Sequence, residues 1–135
     1  MRNAELSQIL DEIADILEIL GEDRFRVNSY RKVSRVIGET PIDVTVLAAT
    51  GQLKNLPGVG KSSLAKIEEF IETGSIGFHQ ELLGKIPAGL LELLDIAGMG
   101  PKGVKAVYEG LGVESVDDLK NAAESGSLAE LPGFG

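Results

Sequence analysis

An apolar residue runs into a Gly-x-Gly bend at three places in this chain. The first is Leu56-Pro57-Gly58-Val59-Gly60-Lys61 and the second Ile96-Ala97-Gly98-Met99-Gly100-Pro101. The third, Leu131-Pro132-Gly133-Phe134-Gly135, closes the sequence. The first two lead directly into helix-patterned segments, so each reads as a tight reversal between two helices. Glycine suits such a bend because it tolerates positive φ and lets another backbone come close. At a helix N-terminus the bend also turns free backbone N–H groups outward, where they hold phosphate without side-chain charge. The glycines recur at residues 58, 98 and 133, a period of roughly 35–40 that signals repeated supersecondary units. Such repetition suits a nucleic-acid backbone better than one nucleotide. A ligand-free helix–helix connection is the plainer alternative. A nucleotide-binding glycine loop fails, because no strand precedes the bend and Lys61 lacks the first glycine of Gly-x-x-x-x-Gly-Lys.

The rest of the chain reads as short helices. Leu6, Ile9, Ile13, Ile16, Leu17 and Leu20 carry the i, i+3, i+4, i+7 pattern, with Asn3 as the expected N-cap and Gly21 as the stop. A basic helix follows from about residue 24 to 37, capped by Asp23 and ended by Gly38 and Pro41. Further helices are expected at about 43–50, 61–72, 78–84, 89–95, 101–111 and 115–123. Nothing alternates with the period of a strand. The expected fold is all-α, a bundle of short helices containing repeated hairpins. Two units are expected, residues 1–85 with the first hairpin and 86–135 with the second. The chain stops inside the third copy, so it is expected to be a piece of something longer.

With no cysteine, disulfides and thiolate metal sites are excluded, and with one histidine, His79, a His-built metal site is not expected. His79, beside Phe78 and ahead of Leu82 and Leu83, reads as a partly buried structural residue. Phe25, Phe70 and Phe134 read as packing residues. No apolar run approaches the length of a membrane span, and a cytoplasmic location is expected. The formal net charge of −8 speaks against nucleic acid on its face. Its distribution speaks differently. Residues 24–37 hold Arg24, Arg26, Arg31, Lys32 and Arg35 and no acid, which leaves −13 on the remainder. At 100° per residue, Arg24, Asn28, Arg31 and Arg35 fall within about 60° of one helix face. That face is either a solvated surface or a phosphate-binding one.

Leu-Pro-Gly-Val-Gly-Lys at 56–61 and Ala-Gly-Met-Gly-Pro at 97–101 resemble helix-hairpin-helix motifs, which grip the DNA backbone without reading sequence. The wider string resembles the N-terminal region of family X DNA polymerases: Tyr30-Arg31-Lys32, the first hairpin, Lys66-Ile67-Glu68-Glu69-Phe70 and Thr73-Gly74. The stretch from Leu119-Lys120 to Gly135 is similar to the bacterial branch of that family. The resemblance runs across almost the whole chain. It implies binding to gapped, nicked or 5′-phosphorylated duplex DNA in repair, with the rest of a polymerase chain as a further partner and no membrane.

Carried over by position, the implied phosphate contacts are Arg24, Arg26, Tyr30, Arg31, Arg35, Lys54, Gly58, Val59, Gly60, Lys61, Gly98, Met99, Gly100 and Lys102. Arg26, Tyr30 and Lys54 match the pocket for the 5′-phosphate. A monovalent cation, K⁺ or Na⁺, is implied on the carbonyls of Lys54, Leu56 and Val59, and on those of Leu94, Ile96 and Met99. Such an ion would bridge to a phosphate oxygen. Lys66 aligns with the lysine that forms a Schiff base in lyase members, a role that needs a neutral amine. Ser62 and Phe78 stand where that pattern carries supporting lysines, and Phe25 where it carries a histidine. Glu68, Glu69 and Glu72 lie close in sequence and favour the charged form, so an ordinary surface lysine remains open. Nucleotidyl transfer would need a separate domain with paired aspartates and Mg²⁺, and these 135 residues alone are not expected to polymerise DNA. The rival from another class is an acidic helical protein-interaction module.

Overall fold

A computed structural model describes residues 2–96 and 99–134. Among them the regular structure is helical throughout, with no strand. In chain order the helices are α1 (Asn3–Ile19), α2 (Arg24–Glu39), α3 (Val44–Ala49), a 3-10 turn (Leu53–Asn55), α4 (Lys61–Thr73), α5 (Gly77–Leu83), α6 (Gly89–Leu94), α7 (Gly100–Leu111), α8 (Val116–Glu124) and α9 (Ser127–Glu130). The 3-10 turn and α9 are too short to show a period, which is why the sequence pattern passes over them.

Helix α1 is the axis on which the rest is hung. It packs against α2, α5 and α7, so its burial exceeds one stripe. Leu6, Leu10, Ile13, Ala14, Ile16, Leu17 and Ile19 are all buried, each large side chain contributing about 1.5–3 kcal/mol by removal from water. Leu20, expected on the apolar stripe, is instead 38% exposed. Gly21 ends the helix as expected. Its φ of +79° lets the Glu22 N–H reach Leu17 C=O at 2.9 Å while its own N–H reaches Glu18 C=O, the double bond of a Schellman stop. Helix α2 starts at its expected cap, the Asp23 carboxylate accepting from Phe25 N–H at 2.8 Å. It runs through Gly38 before ending at Glu39.

Asn3 is not the N-cap of α1. It lies inside the first turn, 3% exposed, and works across the fold. Its Oδ1 accepts from Val44 N–H at 2.8 Å and its Nδ2 donates to Ile42 C=O at 2.9 Å and Thr40 C=O at 3.2 Å. A buried amide is stable only when so satisfied. Arg2 makes the matching tie to α4. Its guanidinium lies over the Phe70 ring at 4.5 Å and donates to Phe70 C=O at 2.9 Å and Ile71 C=O at 3.0 Å. Those carbonyls lie in the last turn of α4, where a cation is favoured. The helix that begins at the first glycine hairpin is therefore fixed at its far end.

Val104 and Val107 of α7 and Val113 join the same buried cluster as Leu6 and Phe70. The loop before α8 presses on α6 so closely that a Cβ on Gly89 would fall 2.2 Å from Glu114 C=O.

Candidate nucleic-acid interface

At the first hairpin the chain turns over Pro57 and Gly58. Gly58 has φ of +83°, and Val59 N–H closes the turn on Leu56 C=O at 3.1 Å. Proline followed by a glycine at positive φ is the signature of a type II turn. Gly60 then leads into α4 in extended backbone, φ −102° and ψ −170°, and no side chain caps the helix. The consequence is a set of unclaimed donors. The N–H groups of Gly58, Gly60, Lys61 and Ser62 have no acceptor among the described residues, and all four residues are exposed. Of the three carbonyls expected to hold a cation, Leu56 C=O accepts the turn bond, while those of Lys54 and Val59 accept no bond from the described residues.

The same hydrogen bond recurs at each repeat. Met99 N–H donates to Ile96 C=O at 3.0 Å, and Phe134 N–H to Leu131 C=O at 3.1 Å. One residue triplet earlier the pattern holds again: Leu56 to Leu53, Ile96 to Leu93 and Leu131 to Leu128, each at 3.1 Å. Sequence similarity and backbone bonding thus agree that these are three copies of one turn. Gly98 lies outside the described residues. Met99 and Gly100 are half-buried and Lys102 is exposed, so the second bend is more enclosed than the first. The third leans on α7, where a Cβ on Gly110 would meet Leu131 Cδ2 at 2.9 Å and one on Gly103 would meet Phe134 Cζ at 3.7 Å.

Helix α2 brings one cation, Lys32, to the first hairpin. The stem of Lys32 lies over Gly58, its Cδ 3.2 Å from where a Cβ would stand. Sequence reasoning placed Lys32 in the basic segment but missed this contact, because the face drawn through Arg24, Arg31 and Arg35 points elsewhere. Arg24, Arg26 and Arg35 are exposed and form no ion pair among the described residues. Arg31 differs. It spans the α1–α2 seam to Asp15 and Glu18, both at 3.0 Å, so its charge is already matched. Burial holds the Asp15 carboxyl above the usual carboxylate range, with the Arg31 bond opposing that rise. Phe25, expected to pack, is 86% exposed between Arg24 and Arg26. Phe70 is fully buried, as expected.

Arg26, Tyr30 and Lys66 come together around Phe78. The Arg26 guanidinium lies 5.0 Å from the Phe78 ring centre and the Lys66 ammonium 5.4 Å. Lys66 also lies 5.8 Å from the ring of Tyr30, which stacks on Phe78 at 6.1 Å. Lys66 Nζ donates to Ser62 Oγ at 2.9 Å. No carboxylate pairs with Lys66 among the described residues. Glu69 is engaged otherwise, accepting from Gly77 N–H at 2.9 Å. Lys54 is exposed on the 3-10 turn and borders a separate recess between α3 and α4, with Leu64 and Glu68. The expected trio of Arg26, Tyr30 and Lys54 is therefore not gathered on one ring. Arg26, Tyr30 and Lys66 are.

His79 is buried, 8% exposed, with Nε2 2.8 Å from Glu12 Oε1. It joins α5 to α1, which is a structural use. Asp11, Glu12, Asp15, Glu92 and Asp95 line an acidic cleft of about 280 Å³ between α1 and α6. Among the described residues no cluster of His, Asp or Glu is arranged to hold a metal ion, and no helix is long and apolar enough to cross a membrane.

With this geometry in hand, comparison with known proteins is informative. The family model for a helix-hairpin-helix domain matches residues 1–76, and that for a SAM-like helix-hairpin-helix tandem matches residues 90–135. The chain is 30% identical over all of its 135 residues to the DNA polymerase/3′-5′ exonuclease PolX of Bacillus subtilis. It is 32% identical over 120 residues, 88% of its length, to DNA polymerase lambda of Arabidopsis thaliana. It spans 23% and 22% of those two relatives, less than a quarter of each.

Proposed function

Because this chain belongs to the helix-hairpin-helix domain family, a DNA-binding module, we propose that its first hairpin holds the sugar-phosphate backbone of gapped or 5′-phosphorylated duplex DNA without reading base sequence. One observation carries the reading: Gly58, Gly60, Lys61 and Ser62 are exposed and their N–H groups find no acceptor among the described residues. A phosphate oxygen there gains several oriented donors and the positive end of α4. Lys32 supplies charge over Gly58, while Arg24, Arg26 and Arg35 add exposed cations elsewhere on α2; Gly100, Met99 and Lys102 are the corresponding elements of the second hairpin. Arg31 serves this surface indirectly, by locking α2 to α1.

The resemblance to the N-terminal region of family X DNA polymerases sets the context. On that resemblance the reading extends to a role within a DNA-directed polymerase acting in repair, whose Mg²⁺-dependent nucleotidyl transfer would need a separate domain. K⁺ or Na⁺ fits the first hairpin chemically, because the Lys54 and Val59 carbonyls are unclaimed oxygen ligands beside that of Leu56. The Leu94, Ile96 and Met99 carbonyls are the equivalent set at the second. Bound there, the ion offers positive charge to a phosphate oxygen in an otherwise acidic protein.

A gel-shift salt series on gapped duplex tests the proposal. Neutralising about three to five phosphates gives log K falling with log salt at a slope of roughly −3 to −4.5. No binding at low salt refutes it and favours a protein partner for the acidic cleft. A second reading rests on Lys66, whose aromatic surroundings are not those of an ordinary surface lysine. As a neutral amine it would form an imine with a deoxyribose aldehyde, releasing water. Borohydride reduction with an abasic 5′-flap substrate, with Lys66→Ala as control, reads this directly. Absence of a covalent adduct ends the lyase reading and leaves the binding one intact.

A further inference from the structure

Two cations from different helices share one aromatic ring, and among the described residues neither forms an ion pair. Arg26 of α2 and Lys66 of α4 lie 5.0 Å and 5.4 Å from the centre of Phe78. Like charges so placed repel unless something attracts both. The negative face of a ring attracts a cation within about 6 Å of its centre. Ring stacking with Tyr30, at an interplanar angle of 21°, extends that surface to α2. The ring is itself held on both flanks. The preceding Gly77 N–H is bound by Glu69 of α4 at 2.9 Å, and the following His79 is bound by Glu12 of α1 at 2.8 Å. Four helices thus determine where one phenyl ring sits, and that ring determines where two unneutralised cations wait.

We propose that Phe78 is a positioning residue that gathers Arg26 and Lys66 into one dianion-binding pair and so sets the preference for a terminal phosphate monoester over a 5′-hydroxyl. The inference rests on the DNA-binding reading above. It assigns Phe78 no contact with the phosphate. A terminal monoester carries close to two negative charges, whereas an internal diester carries one, so a paired-cation site discriminates between them in a way a single lysine does not. The position therefore uses an aromatic residue to organise charge where another side chain would have to supply charge.

The experiment compares binding to gapped duplexes that differ only in 5′-phosphate or 5′-hydroxyl, for wild type, Phe78→Leu and Phe78→Tyr, with thermal melting as the fold control. The wild type should prefer the phosphorylated end. Phe78→Leu should lower that ratio by roughly five- to thirtyfold, the loss expected when two cation–ring contacts go, and Phe78→Tyr should restore it. A wild-type ratio preserved in Phe78→Leu overturns the role of Phe78 alone, as does an equal loss on both DNAs. No preference in the wild type overturns the phosphate-end reading and this proposal together. If Phe78→Leu does not fold, proton spectra of the wild type decide: ring current should move the Lys66 Cε protons upfield, and normal positions refute the arrangement.

Discussion

Replacing Gly60 with serine should make the protein slightly more stable and markedly worse at binding DNA. Gly60 sits in extended backbone at the N-cap of α4, and a Cβ there would meet nothing within 4 Å. Nothing inside the protein requires glycine at this position. A serine hydroxyl at an N-cap accepts from the second or third helical N–H, here Ser62 or Ser63, and gains a few tenths of a kcal/mol over glycine. For a chain of this size that is roughly 1–2 °C in Tm. The same hydroxyl removes a donor from the phosphate. One charge-assisted hydrogen bond is about 1.5–3 kcal/mol, or roughly 10- to 150-fold in Kd. Gly58→Ala is the contrasting control. Its φ of +83° costs a Cβ-bearing residue about 1–2 kcal/mol, so binding and stability should fall together. Calorimetric melting and fluorescence titration on one gapped duplex measure both quantities. Wild-type affinity in a Gly60→Ser protein with raised Tm would mean that these amides face no phosphate, and the reasoning fails.

Arg26→Ala combined with Lys54→Ala should weaken binding to 5′-phosphorylated gapped DNA more than to the unphosphorylated form, and equal loss on both refutes the assignment. Gly89→Ala should lower Tm by several degrees, since its Cβ would collide with Glu114 C=O and overpacking costs about 1–3 kcal/mol; an unchanged melt refutes the close approach of α6 to the α8 loop. Hydrogen bonds from the Thr45 side chain and backbone, and from Arg2 N–H, hold the Asp43 carboxylate down to about 2. A folded pKa below the unfolded one adds stability that is present above pH 4 and lost as pH falls toward 2. Acid melts of Asp43→Asn should therefore be flatter than wild type in that window, and parallel curves refute the linkage.

Glycine and helical spacing made the fold class and the hairpins legible, because both are local. A bend such as Leu56–Gly60 is written in five consecutive residues, and the structure repeats its bond wherever the string recurs. What escaped were relations between segments. Asn3 looked like a cap because caps are named by residue type; only the packed α2–α3 connection shows its amide used by Thr40, Ile42 and Val44. Arg31 shares a helix face with Arg24 and Arg35, yet Asp15 and Glu18 stand across from it alone. Phe25 and Phe78 are both isolated aromatics in sequence. One ends 86% exposed among arginines, while the other becomes the ring on which two helices meet.

That division explains how a chain of net charge −8 can serve a polyanion. On the proposed reading the hairpin grips through main-chain dipoles, which are insensitive to what the side chains sum to. Lys32 of α2 and Lys61 of α4 lie at the hairpin without an ion pair among the described residues, while Asp11, Glu12, Asp15, Glu92 and Asp95 line the α1–α6 cleft and Glu69 is bonded to Gly77. At physiological salt the Debye length is about 8 Å, so the acidic face at the α1–α6 cleft is largely screened from any DNA phosphate more than that distance away. Lowering salt should strengthen local attraction but also lengthen the reach of that acidic face. Affinity should therefore climb less steeply below about 30 mM salt than the counterion slope extrapolates. A log–log plot straight to 10 mM would show instead that the acids are too distant to matter at all.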